Sequence, residues 1–89
     1  MTRDEVAGEL KTIFATILEL PESSVNSELC PDKCEKWDSL RHIHIVNSIE
    51  ETFGLSLDIE AQVEILTFEL SIIVVCEALQ AEGRLAASA

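Results

Sequence analysis

The chain is 89 residues long and carries six Lys and Arg against seventeen Asp and Glu, a formal net charge of −11 spread along its length rather than gathered in a tail. Such a surface repels phosphate backbones, which argues against nucleic acid as a partner, and it attracts basic patches on other proteins. A domain of this size buries roughly 60–65% of the surface of its unfolded chain and keeps about 4–13 kcal/mol of stability, so there is too little material for a deep catalytic cleft and composition favours a carrier or binding module.

The first residues, Met1 to Glu5, are polar and lead into an amphipathic pattern rather than a continuous apolar run. No signal peptide is visible, and a cytoplasmic protein is expected. Thr2 and Glu5 form a capping box, after which Val6, Leu10, Ile13, Phe14, Ile17 and Leu18 recur at helical spacing until Pro21 stops the run. From Pro21 to Trp37 the chain holds both of its prolines, several Ser and Asn residues and little periodicity, which predicts a long ordered loop. Leu20, Val25, Leu29 and Trp37 are the side chains available to pin it to a core. Cys30 and Cys34 lie in this loop at a spacing that allows a bridge or half of a metal site; reduced thiols are the simpler expectation for a chain with an odd set of three cysteines.

At Asp38 the pattern changes. Ser39 to Phe53 reads as a second helix, opened by Asp38 as an N-cap that can accept from the backbone N–H of Leu40 or Arg41 and closed by Gly54. At about 100° per residue, Ile45, Val46, Ile49 and Phe53 make a core stripe. Leu40 and Ile43 fall on the opposite side with Arg41, His44, Asn47, Glu50 and Glu51, an apolar patch with a polar rim that is a candidate partner surface. Ser39 sits beside it in the first turn, near solvent and the positive end of the helix dipole, where a phosphate would meet free backbone donors.

Leu55 and Leu57 lead to Asp58 and a short third helix within Ile59 to Leu66. Thr67 caps a fourth helix whose buried side is Phe68, Ile72, Val75, Cys76 and Leu79, and Gly83 ends it. Its most apolar run, Leu70 to Cys76, is too short to cross a bilayer. Hairpin turn pairs are absent, so the β-branched residues of this half do not predict a sheet. The expected fold is all-α: a small four-helix bundle with a long first loop and a short third helix, a single domain over residues 1–83, and a flexible tail over 84–89.

Three other functions compete. A hydrolase could start from Ser39 and His42, three apart on a helix and next to Asp38, yet there is no Gly-x-Ser-x-Gly elbow, Asp38 is used as a cap, and His42 lies toward the inner side where the loop can satisfy it. A calcium or zinc module lacks the Asp-x-Asp-x-Asp-Gly loop or a second ligand pair, because His42 and His44 face different sides of one helix. An unmodified acidic helical interaction module, binding through Leu40 and Ile43, remains as the alternative.

The run Asp38-Ser39-Leu40, opening a second helix near mid-chain that ends in Glu50, Glu51, Phe53 and Gly54, resembles the acyl carrier proteins over nearly the whole chain. The resemblance implies that a phosphopantetheinyl transferase attaches 4′-phosphopantetheine to Ser39, within the motif of Asp38 and Leu40, and that the terminal thiol then carries acyl groups as thioesters. It further implies a monomer without enzymatic activity of its own, whose partners are that transferase and the acyl-loading and acyl-processing enzymes, with no membrane involved. Lys36 stands where the family often has glycine, and Arg41 and His44 where many members are acidic, which points to dedicated rather than generic partner enzymes.

Overall fold

The structure, a computed structural model, describes residues 1–85. Four α-helices follow one another: α1 (Arg3–Leu18), α2 (Ser39–Phe53), α3 (Ile59–Glu64) and α4 (Phe68–Ala81). Among the described residues there is no strand, and no helix is long and apolar enough to cross a membrane.

Each α-helix starts where a short polar side chain can take up a free backbone donor. Thr2 accepts from the Glu5 amide at 3.2 Å while the Glu5 carboxylate accepts from the Thr2 amide at 3.0 Å, the reciprocal pair expected of a capping box. These bonds to Thr2 hold the Glu5 carboxyl below its ordinary range. Asp38 accepts from Arg41, Asp58 from Ala61 and Thr67 from Leu70, at 2.9, 2.8 and 3.0 Å. α2 stops at Gly54, whose φ of 63° is the left-handed conformation that a glycine adopts without a steric cost. α1 ends the same way at Glu19, with φ 56°, although a side chain there is uncommon.

The faces of α1, α2 and α4 meet in one core. Val6, Leu10, Phe14 and Leu18 from α1 pack with Ile45, Val46, Ile49 and Phe53 from α2 and with Phe68, Ile72, Val75 and Leu79 from α4. Phe14 stands edge-on to Trp37 and to Phe68, with centroids 5.2 Å apart in both pairs. Ser71 is fully buried on α4, and its hydroxyl is satisfied by donating to the Phe68 carbonyl at 2.6 Å. Cys76 lies in the same wall, where burial pushes its thiol upward.

The segment between α1 and α2 is ordered as the sequence predicts. It carries two single 3₁₀ turns, Glu22–Ser24 and Pro31–Lys33, and is pinned by buried Val25, Leu29 and Trp37 with Leu20 packed alongside. The Leu29 carbonyl accepts from the Phe68 amide at 2.9 Å, which ties the segment to the start of α4. Cys30, Cys34 and Cys76 are free thiols.

The chain end departs from the expectation of a tail beginning at residue 84. The Arg84 amide donates to the Leu79 carbonyl at 2.8 Å, and its guanidinium donates to the carbonyls of Phe53 and Gly54, satisfying orphan acceptors at the end of α2. Leu85 packs on the core. The remainder of the predicted tail, 86–89, lies outside the described residues. α3 ends at Glu64, within the Ile59–Leu66 span read from sequence, where Ile65 leaves the helix to become buried; Leu66 beyond it is exposed.

Candidate functional site

The start of α2 forms the site. Asp38 adopts an extended backbone and spends one carboxylate oxygen on the Arg41 amide, so the amides of Ser39 and Leu40 remain at the open end of the helix. Ser39 is exposed there. Beside it lies a cleft of about 510 Å³, bounded by Trp37, Ser39, His42, Ile43, Ile65 and Leu66.

The residues read as one patch on α2 divide into two groups. Leu40 and Ile43 are 64% and 56% exposed, and His44, Asn47 and Glu51 are exposed with them. Arg41 and Glu50 are half-buried and occupied within the chain. The Arg41 guanidinium donates to the Ile17 carbonyl at the end of α1 and pairs with Glu19 at 3.1 Å, while a Glu50 oxygen accepts from the Leu57 amide at 2.8 Å. Both are long side chains reaching backbone outside α2, so the helical wheel could not reveal these partners.

Sequence reasoning also missed the outer face of α3. Ile59, Val63 and Leu66 are 76%, 62% and 60% exposed, where a short helix would be expected to turn such residues inward. Ile59 and Val63, four apart, share one face of α3, and Leu66 follows the helix; Leu57 and Ile65 supply the buried anchors instead. Of the exposed apolar residues, Ile43 of α2 and Leu66 after α3 line the cleft. Asp58, Glu60 and Glu64 bring carboxylates to the α3 side.

His42 is half-buried and lines the cleft. Its Nδ1 accepts from the Trp37 indole Nε1–H at 3.1 Å, which leaves the ring proton on Nε2, and that nitrogen donates to the Gln62 carbonyl at 3.0 Å. The imidazole and indole rings are nearly parallel, 14° apart in plane. Both ring nitrogens are therefore engaged away from Ser39, and a serine–histidine pair of the hydrolase kind is not assembled. Among the described residues, no three His, Cys, Asp or Glu side chains are grouped to hold a metal ion.

Compared with known proteins, the chain matches no family model and no curated protein.

Proposed function

We propose that the chain is an acyl carrier protein, its four helices forming the small bundle of that family, and that it bears 4′-phosphopantetheine on Ser39. The observation that carries this reading is the placement of an exposed serine as the first residue of α2, directly after a capping aspartate and at the lip of a largely apolar cleft. A phosphodiester there would lie beside the open amides and the positive end of the helix dipole, so the local residues fit the group electrostatically. In the modification, the Ser39 oxygen forms a bond to the phosphorus of the phosphopantetheinyl unit of coenzyme A, the pyrophosphate bond breaks, adenosine 3′,5′-bisphosphate leaves, and the serine proton passes to a base of the transferase.

The arm's thiol would hold acyl or related groups as thioesters for cytoplasmic partner enzymes. Leu40 and Ile43 of α2, and Ile59, Val63 and Leu66 at α3, are the exposed apolar side chains those enzymes would cover, with exposed Glu51, Asp58, Glu60 and Glu64 on or next to the same helices.

Incubation with a phosphopantetheinyl transferase and coenzyme A, followed by intact mass measurement, tests the reading. One phosphopantetheinyl unit is expected on the native chain and none on Ser39→Ala, whose fold should be retained. An unchanged native mass, or modification that persists in Ser39→Ala at a site such as Ser48, overturns it.

A further inference from the structure

α3 is the least anchored helix of the molecule. It has six residues, none of them buried, and a helix that short has little stability of its own. Leu57 before it and Ile65 after it are buried, and between them Ala61 and Gln62 are half covered. Two local bonds shape its start: Asp58 caps the Ala61 amide, and the Gln62 side chain donates to the Leu57 carbonyl at 2.9 Å. Neither reaches another helix.

The bond from His42 Nε2 to the Gln62 carbonyl does, and among the described residues it is the one hydrogen bond joining α3 to another helix. Its direction is set from the opposite side. Trp37 is buried, held edge-on by Phe14, and its indole N–H can be accepted only by an unprotonated Nδ1, which forces the donor onto Nε2. A line of contacts thus runs from the core aromatic Phe14 through Trp37 and His42 to the backbone of α3. The same imidazole lines the cleft together with Ser39 and Leu66.

We propose that His42 is a positioning residue, a two-sided tie that fixes α3 against α2 and so sets the shape of the cleft beside Ser39. The tie belongs to the unmodified chain; the carrier reading enters solely in what the cleft serves. Loss of either bond frees the C-terminal turn of α3, while the cores of α1, α2 and α4 remain packed. The device also links the loop before Ser39 to the cleft wall beyond it, so that a displacement of one is felt by the other.

Amide hydrogen exchange on the unmodified chain tests this, with the indole N–H of the sole tryptophan as a second probe. His42→Leu fills the ring's place but offers neither an acceptor nor a donor. It should speed exchange over Ala61–Ile65 and at the Trp37 indole by up to about tenfold, the span of one or two net hydrogen bonds, with α1 and α4 little changed. His42→Gln places an acceptor oxygen and a donor nitrogen on one side chain and should recover most of the protection. Trp37→Phe keeps an aromatic ring in the core while removing the N–H, and should loosen α3 by a smaller factor even if His42→Leu does not fold. Exchange in α3 that is unchanged in the folded variants, a Gln variant no better than Leu, or equal acceleration in every helix overturns the proposal. Because no transferase is involved, failure here and failure of Ser39 modification are separate results.

Discussion

Leu40 and Ile43 lie one helical turn apart on the open side of α2, and both leave more than half of their surface in water. Side chains in that state contribute little to stability, because burial supplies the hydrophobic gain. Ile43→Ser is therefore expected to shift the unfolding free energy by well under the about 2–5 kcal/mol of a core truncation, while slowing transfer to or from the partner enzymes. Denaturant titration beside transfer kinetics checks both halves; a large loss of stability with unchanged transfer would show that the residue is a core element after all. Cys76 is the converse case. Its thiol is raised by burial, so the folded chain holds the proton at pH values where the unfolded chain has begun to release it. That contribution is complete below the ordinary thiol range and declines as pH rises through it. Stability should fall between about pH 8 and 10 less steeply in Cys76→Ala than in the native chain, the lower absolute stability of the variant notwithstanding. Parallel slopes in denaturant titrations across that range would discount Cys76 as the source.

At the level of helices, what the sequence made legible was local. Thr2, Asp38, Asp58, Thr67 and Gly54 act within three or four residues of the ends they finish, and each does in the structure what its type and position imply. The α2 core stripe was equally readable, since a period of 3.6 residues assigns faces without reference to the rest of the fold. The contacts that escaped are those in which a side chain reaches backbone outside its own helix: Arg41 on the end of α1, Glu50 on the Leu57 amide beyond α2, Arg84 on the end of α2. Periodicity holds no information on them. His42 falls between these cases, because its inward direction and its satisfaction by the loop follow from the wheel, whereas its actual partners, the Trp37 indole and the Gln62 carbonyl, require knowing where the loop and α3 lie. The end of α2 offers a direct test of how much a local signal is worth. Gly54 has φ 63°, and a Cβ there would meet the Arg84 guanidinium at ordinary contact distance, 3.8 Å, so space is not the obstacle. Gly54→Ala should cost about 1 kcal/mol from backbone conformation alone, read as a shift in the denaturation midpoint with an unchanged slope. A neutral substitution would mean that the left-handed cap relaxes without penalty.

For the molecule as a whole, charge should govern how the partners of the proposed carrier arrive. The net charge is −11, and Glu51, Asp58, Glu60 and Glu64 are exposed on or next to the two helices, α2 and α3, that also carry exposed apolar residues. The one arginine near the serine does not cancel this field, because Arg41 is held in an ion pair with Glu19 at 3.1 Å; His44 is left as the exposed basic side chain of that turn. At physiological ionic strength screening acts over about 8 Å, so exposed charges should accelerate encounter with a basic partner more than they tighten the final complex. Glu50 is a poor place to probe this. Replacing it would also release the Leu57 amide and disturb the approach to α3, mixing a structural effect with an electrostatic one. Glu51 is exposed and free of that duty, which makes Glu51→Lys the cleaner change. Raising salt should slow modification of Ser39 by the transferase mainly through the apparent on-rate, and Glu51→Lys should both lower that rate at low salt and flatten its salt dependence, with stability little altered. Stopped-flow or initial-rate measurements across an ionic-strength series separate the terms. Salt-independent kinetics in the native chain would rule out steering, and recognition would then rest on the apolar face of Leu40, Ile43, Ile59, Val63 and Leu66, whose contribution should persist at ionic strengths where the charges are fully screened.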